Sequence, residues 1–147
     1  MNISPVDGLR FGPAPRLNKP DVTELVWVRR KADMSQFMTL VVDNDTLQRE
    51  FIAELIKERG LEVIECTTAE AAELVLAAAG LELRAVVIDL NLNGAMTGIE
   101  LAEFAKRMFP SLTVVIISGG APAKLPGDTR FLQKPYQPAK LLEAVLE

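Results

Sequence analysis

Short, mostly apolar runs alternate along the chain with longer segments in which apolar residues recur every three or four positions. Five of these runs have the length and composition of β-strands: residues 37–42, 62–66, 84–88, 112–117 and 130–133. Short apolar runs are typical of strands that are buried on both faces of a parallel sheet. The segments between them therefore predict helices that cover both faces of such a sheet.

The helical segments are predicted at residues 46–59, 69–79, 98–108 and 139–146. In the first helix, four apolar residues are expected to share the buried face: Leu47, Phe51, Leu55 and Ile56. Asp45 directly precedes this helix, and its carboxylate is placed to cap the helix N-terminus. Strand and helix thus follow each other in regular alternation through most of the chain.

The alternation breaks between the fourth and fifth strands. Residues 118–129 contain Pro122, Pro126 and three glycines, so at most one turn of helix is expected there. The predicted fold is an α/β, doubly wound, five-stranded parallel sheet of the flavodoxin-like order 2-1-3-4-5. Its fourth helix is expected to be reduced or missing.

Residues 1–35 differ from the rest of the chain. They contain four prolines and one short apolar run at residues 25–28, and we predict a flexible N-terminal extension. An alternative is a docking tail in which Trp27 and its neighbours pack on a partner or on the domain itself. Residues 36–147 are long enough to form one domain with its own core.

The composition excludes several kinds of site. The chain has no histidine, which excludes Ser-His-Asp and Cys-His catalysis and histidine-ligated zinc. Its one cysteine, Cys66, excludes an internal disulfide and lies in an apolar run, so we expect it to be buried. Any bound metal must then use oxygen ligands, which favours magnesium or calcium.

The charge distribution indicates which partners to expect. The net charge is −4, and residues 36–147 carry ten basic and sixteen acidic side chains. An acidic domain without a basic stripe is not expected to bind nucleic acid directly. No stretch approaches eighteen uninterrupted apolar residues and no secretory signal pattern opens the chain, so we expect a cytoplasmic protein without membrane contact.

Polar residues stand where four of the predicted strands end. Asp43 and Asp89 follow the first and third strands, which are neighbours in the predicted sheet, and Ser118 and Lys134 follow the fourth and fifth. Two neighbouring acids repel each other unless a cation lies between them, and an oxygen-only site suits magnesium. A carboxylate, a hydroxyl and an ammonium group around such an ion could bind a phosphoryl group.

The same residues lie in four motifs that resemble a known family: VVDND at 41–45, VVIDLNL at 86–92, VVIISGG at 114–120 and FLQKPY at 131–136. In order and spacing, they are similar to the motifs of CheY-like receiver domains, the receivers of two-component response regulators. The resemblance covers the chain from about Phe37 to Glu147. It implies a phosphorylation-dependent signalling switch rather than an enzyme, with slow autodephosphorylation at most.

The resemblance also implies a role for each strand-end residue. Asp89 would be the phosphoacceptor, and Ser118 and Lys134 would contact its phosphoryl group. The oxygen ligands of Mg²⁺ would come from four residues: Asp43, Asn44, Asp89 and Asn91. Phe131 would be the aromatic switch residue, and the peptide bond before Pro135 is expected to be cis.

Three positions depart from the family pattern. Asn44 stands where the family usually has a second acid, so we predict weak binding of Mg²⁺. Asp45 could replace the missing acid as a ligand, although capping of the first helix is its simpler role. Residues 93–95 replace the usual proline turn and make the loop one residue longer. Thr97 replaces a frequent aspartate.

Three functions are compatible with these residues. The first is a stand-alone receiver that a histidine kinase or phosphotransfer protein phosphorylates on Asp89, and that signals through protein–protein contacts. The second is an unphosphorylated pseudo-receiver adaptor, because Asn44 weakens the metal site. The third is a phosphatase of the haloacid dehalogenase type, whose nucleophile motif resembles residues 43–47.

Overall fold

The computed structural model of the protein describes residues 38–122 and 124–147. Its strands and α-helices, in chain order, are β1 (Met38–Val42), α1 (Thr46–Lys57), β2 (Glu62–Cys66), α2 (Ala69–Ala79), β3 (Leu83–Asp89), α3 (Gly98–Met108), β4 (Thr113–Ser118), β5 (Arg130–Gln133) and α4 (Pro138–Leu146), and a short 3-10 helix at Gly80–Glu82 joins α2 to β3. The predicted extension, residues 1–35, lies outside the described residues. Of the described helices, none has the length and apolar character needed to cross a membrane.

The five strands form one parallel sheet in the order β2-β1-β3-β4-β5. The prediction of a doubly wound, flavodoxin-like sheet is confirmed. The central strands β1, β3 and β4 are buried almost throughout, as expected for strands with helices on both faces. Because all strands run in the same direction, their carboxyl ends meet at one edge of the sheet.

Alternate residues of the central strands enter two separate hydrophobic cores. Leu40, Ile88 and Ile116 pack on one face of the sheet against α2 and α3. Val41 and Val87 pack on the other face against α1 and α4. The sheet thus packs between two pairs of helices, and this packing fixes the positions of its strand ends.

The predicted buried face of α1 is wrong in part. Leu47 is 79% exposed and Phe51 is 50% exposed, whereas Ile52, Ala53 and Ile56 are buried. Leu47 and Ile56 are nine positions apart, about two and a half helical turns, so they point to opposite sides of the helix. The sheet therefore covers the stripe around Ile56 and leaves the other apolar stripe in solvent.

The reduced fourth helix is confirmed, since the described residues between β4 and β5 form no helix. The connection is fixed at its far end by Lys106 in α3, whose Nζ lies 2.9 Å from Asp128 Oδ2. The same ammonium group donates to the carbonyl oxygens of Pro110 and Leu112, each at 2.9 Å. Leu125 packs against the core beneath α2 and α3. An ion pair and one apolar side chain thus anchor the segment in place of a helix.

Candidate functional site

Four of the predicted site residues meet at the carboxyl edge of the sheet. Asp43 follows β1, Asp89 and Ser118 end β3 and β4, and Lys134 follows β5. Asp43 is 1% exposed and Asp89 is 4% exposed, although both carry carboxyl groups. Burial of two acids side by side is costly unless cations and hydrogen-bond donors compensate their charge.

The carboxylate of Asp89 is held by two partners. Its Oδ2 lies 2.7 Å from Nζ of Lys134, and its Oδ1 accepts a hydrogen bond from the backbone N–H of Asn91 at 2.7 Å. Charge-assisted contacts of this length are among the stronger hydrogen bonds in proteins. Asp89 is therefore fixed in position, and the loop that starts with Asn91 is tied to it.

Asp43 carries the unsatisfied charge of the site. Its Oδ1 accepts a hydrogen bond from the N–H of Asp45 at 2.8 Å, whereas its buried Oδ2 has no hydrogen-bond partner among the described residues. The pKa of Asp43 is raised from 3.8 to about 6, because the effects of burial, the larger, and of the Asp89 charge outweigh the lowering by the N–H of Asp45. A buried carboxylate oxygen without a donor, next to a second acid, suits a cation.

The ends of β4 and β5 are joined by backbone contacts. The N–H of Lys134 donates to the carbonyl oxygen of Ser118 at 2.8 Å, and the Lys134–Pro135 peptide bond is cis, the expected geometry. Ser118 is buried, and its Oγ accepts a hydrogen bond from the N–H of Gly120 at 3.2 Å. Phe131 is half-buried and packs against the core under α2 and α3.

A tyrosine that the sequence did not single out also lies near the two acids. Tyr136 is half-buried and packs against the core beneath α1 and α4. Burial raises the pKa of its hydroxyl, and the charges of Asp43 and Asp89 raise it further. The phenol therefore stays protonated at neutral pH, and its pKa depends on the charges of the two acids.

The oxygen donors fit a magnesium ion with few protein ligands. Asn44 is exposed beside Asp43, and Asp45 is used as the α1 cap, where its Oδ1 accepts from the N–H of Gln48 at 3.0 Å. The described residues contain no cluster of three or more acidic, histidine or cysteine side chains placed to hold a metal. The remaining candidate ligands are the carboxylates of Asp43 and Asp89 and nearby amide or carbonyl oxygens. This set fits Mg²⁺, which often binds through one or two carboxylates while keeping several waters.

The helix α3 begins at Gly98, as predicted, and a capping box fixes its start. Thr97 and Glu100 form a capping box, in which Thr97 Oγ1 accepts from the N–H of Glu100 at 3.1 Å and Glu100 Oε1 accepts from the N–H of Thr97 at 2.9 Å. The spacing T-x-x-E is a sequence signal for this motif. Next to it, a Cβ on Gly98 would lie 2.9 Å from the carbonyl oxygen of Asp89, so glycine allows α3 to start against the site.

Arg49 is a further residue that sequence reasoning missed. Its Nη1 donates to the carbonyl oxygen of Asp43 at 3.0 Å, and its Nε contacts Glu65 Oε1 at 3.0 Å. These contacts tie the acidic loop after β1 to the neighbouring strand β2. The contact with Glu65 spans 16 positions, so no local pattern predicts it.

A comparison with protein families identifies the family of the described domain. The family model described as response regulator receiver domain matches residues 39–146. The chain belongs to this family. The match favours the receiver interpretation over the haloacid dehalogenase alternative.

Individual relatives are similar to the receiver over most of this chain. It is 28% identical over 116 residues to a response regulator described as NtrX-like from Rickettsia bellii, a match that covers 74% of this chain and 24% of the relative. It is 29% identical over 111 residues to the transcriptional regulatory protein FixJ of Azorhizobium caulinodans, covering 71% of this chain and 51% of FixJ. The chain thus spans about a quarter to a half of the length of these curated relatives.

A solved structure confirms the fold. The receiver domain of NtrX from Brucella abortus superposes on this receiver with a TM-score of 0.64 at 26% sequence identity. The match covers 73% of this chain and 97% of that domain. The similarity therefore extends over practically the whole of the solved receiver.

Proposed function

We propose that this receiver accepts a phosphoryl group on Asp89 from the phosphohistidine of a histidine kinase or phosphotransfer protein, with Mg²⁺ bound at the same edge. The observation that carries the proposal is the 2.7 Å contact between Lys134 Nζ and Asp89 Oδ2, together with the buried Oδ2 of Asp43, which has no hydrogen-bond partner in the described part of the chain. Phosphoryl transfer to an acid requires a fixed carboxylate as nucleophile, a positive charge beside it and an oxygen that can bind the metal ion.

In the transfer, a carboxylate oxygen of Asp89 attacks the phosphorus atom. A P–O bond forms while the P–N bond to the donor imidazole breaks, and the imidazole keeps the electron pair of that bond and takes a proton from solvent. The ammonium group of Lys134 offsets charge on the phosphoryl oxygens, and the hydroxyl of Ser118 can donate a hydrogen bond to one of them. Each group lies at the same strand edge.

The carboxylates of Asp43 and Asp89 would hold the magnesium ion, and Asn44 and Asn91 would contribute amide or carbonyl oxygens. When bound, Mg²⁺ supplies positive charge that offsets the phosphoryl oxygens. Because Asn44 adds no negative charge, we expect weaker binding than at a site with three carboxylates.

An apolar stripe on α1 is suited to contact the donor protein. A donor imidazole must reach Asp89 from the carboxyl edge of the sheet, and α1 begins at that edge. Leu47 in its first turn and Phe51 one turn later are exposed on the side that faces away from the sheet. Two neighbouring exposed apolar side chains offer binding energy to a protein partner that a small phosphodonor would not use.

The output would be a change in protein–protein contacts. A phosphoryl group adds negative charge at Asp89 and would engage Ser118 and Lys134, which end adjacent strands. Phe131 lies in β5 beside Ile116 of β4 and packs against the core under α2 and α3, and we expect its side chain to respond. Such local changes in charge and packing can bias a two-state surface.

The exposed position of Asn44 favours one alternative, an adaptor that works without phosphorylation. The deciding experiment is incubation with acetyl phosphate and Mg²⁺, followed by intact mass measurement under mild conditions. A phosphoryl adduct in the wild type that is absent in Asp89→Asn supports the switch. No adduct on the folded protein at saturating Mg²⁺ would overturn it and leave the adaptor.

A further inference from the structure

A glutamate outside the strand edge contacts the loop that follows Asp89. Glu70 lies in the first turn of α2, and its Oε2 accepts a hydrogen bond from the backbone N–H of Met96 at 2.8 Å. Met96 belongs to the connection between β3 and α3, which also contains Asn91. The contact therefore links α2 to the phosphoacceptor loop, defined here as residues 90–97.

The second carboxylate oxygen of Glu70 lies against the same loop. Gly94 has a φ of +120°, and a Cβ at this position would lie 2.9 Å from Glu70 Oε1. Backbone N–H groups, first that of Met96 and also those of Glu70 itself and Ala95, hold the pKa of Glu70 below its usual value. The loop thus folds around an ionised carboxylate and needs glycine where it passes closest.

The two ends of the phosphoacceptor loop are fixed by other contacts. Asn91 N–H donates to Asp89 Oδ1, and Thr97 is held in the capping box of α3. Between these ends, the described residues provide one side-chain hydrogen bond to the loop, from the N–H of Met96 to Glu70. Leu92 and Met96 add apolar contacts with the core. Without Glu70, the middle of the loop would keep apolar packing alone.

We propose that Glu70 is a positioning residue for the phosphoacceptor loop. It holds the loop in the conformation that keeps Asn91 beside Asp89, and it thereby lowers the Mg²⁺ concentration needed for phosphorylation. The proposal deepens the proposed function and rests on it for the identity of the ion. Ordering of the loop before the ion binds removes an entropic cost that would otherwise weaken binding.

Amide hydrogen exchange of the metal-free protein tests the contact directly. In Glu70→Ala, exchange at Met96 is expected to be at least tenfold faster, while exchange in β1 and β3 stays unchanged. Glu70→Gln should restore part of the protection, because its amide oxygen can accept the same hydrogen bond. Glu73→Ala, a half-buried glutamate on the same helix, is the matched control.

Phosphorylation by acetyl phosphate tests the consequence for magnesium. In Glu70→Ala, the Mg²⁺ concentration for half-maximal rate is expected to rise about tenfold, while the rate at saturating Mg²⁺ stays close to wild type. General destabilisation would not produce this split as long as the protein stays folded. An unchanged half-saturation, with a wild type that is phosphorylated, overturns the role of Glu70 and leaves the proposed function intact.

Gly94→Ala approaches the same contact from the loop side. A Cβ would displace Glu70, so the variant should reproduce the effects of Glu70→Ala on Met96 exchange and on Mg²⁺ dependence. Gly60→Ala is the control for backbone strain alone, since Gly60 also has a positive φ, +81°, with no atom within 4 Å of a Cβ. If both glycine variants behave alike, the contact with Glu70 is not the cause and the proposal fails. A wild type that takes no phosphoryl group would remove the proposed function, while the exchange at Met96 would still test the contact.

Discussion

Lys134 and Asp89 are 45 residues apart in sequence, yet Nζ of the lysine lies 2.7 Å from Oδ2 of the aspartate. The pair joins the ends of two strands that are separated by β4 in the sheet. It places a positive charge against the proposed phosphoacceptor before any ligand binds. The same contact therefore stabilises the resting site and prepares it for a more negative group.

Lys134→Ala is expected to slow phosphorylation of Asp89 by acetyl phosphate by on the order of 100-fold, the usual effect of removing one donor from a site of developing negative charge. The rate is measured from the growth of the phosphoryl adduct by intact mass. Lys140→Ala, an exposed lysine on α4, should leave the rate unchanged. Equal rates for Lys134→Ala and wild type would show that the pair has a structural role alone.

Asn44→Asp should tighten magnesium binding about tenfold, as measured by titration calorimetry. The substitution adds a carboxylate beside Asp43, and a unit charge pair at 4 Å contributes about 4 kcal/mol at an effective dielectric of 20 before desolvation. The exposed position of residue 44 reduces this gain. Gln137→Glu adds the same charge at an exposed position outside the phosphoacceptor loop and is the control. Equal affinities in the two variants would place the ion away from residue 44.

Asp43 predicts an unusual pH dependence of stability in the absence of divalent ions. Its pKa in the folded protein is about 6, above the ordinary 3.8, so its contribution is fully present below about pH 4 and is lost as the pH rises through 6. In EDTA at pH 7.5, Asp43→Asn should therefore be more stable than wild type, by up to about 3 kcal/mol. At pH 4 the difference should vanish.

Denaturant unfolding between pH 4 and pH 7.5 measures this difference, because the contributions of groups common to both proteins cancel. Addition of Mg²⁺ at pH 7.5 should then stabilise wild type more than Asp43→Asn, since the ion binds the folded wild type preferentially. A pH-independent difference between the two proteins would mean that Asp43 is not responsible for the expected effect.

Substitution of Leu47 and Phe51 should affect phosphorylation by a protein donor but not by a small phosphodonor. Leu47→Ala with Phe51→Ala should slow transfer from an autophosphorylated histidine kinase that phosphorylates the wild type, by about tenfold or more, because buried apolar side chains of this size each contribute about 1.5–3 kcal/mol. The rate with acetyl phosphate should stay unchanged. Leu74→Ala, which removes a 71% exposed leucine from α2, is the control. An equal loss with both kinds of donor would mean that the stripe acts on the site itself.

The residues at the strand ends could be predicted, because they depend on short apolar runs in the sequence and on the order of the strands in a parallel sheet. A short apolar run such as residues 84–88 marks a buried strand, and the order of parallel strands then brings Asp89 and Lys134 to the same edge. The missing helix before β5 also followed from local composition, since Pro122 and Pro126 oppose a helix there.

The face of α1 could not be predicted in the same way. Apolar residues occupy two stripes of this helix, one through Leu47 and Phe51 and one through Ile52 and Ile56, and either fits a periodic pattern. In the structure, the second stripe is the one that packs against the sheet. The contact of Glu70 with Met96 spans 26 residues and has no local signal, whereas the capping box at Thr97 did have one.

Cys66 is buried, and burial raises the pKa of its thiol. A protein whose natural thiol is shielded in this way is a suitable host for one engineered cysteine. Gly119 adjoins Ser118, and a Cβ there would meet no atom within 4 Å. A fluorophore attached to Gly119→Cys would therefore report in real time how the end of β4 responds to phosphoryl transfer, with little background from Cys66.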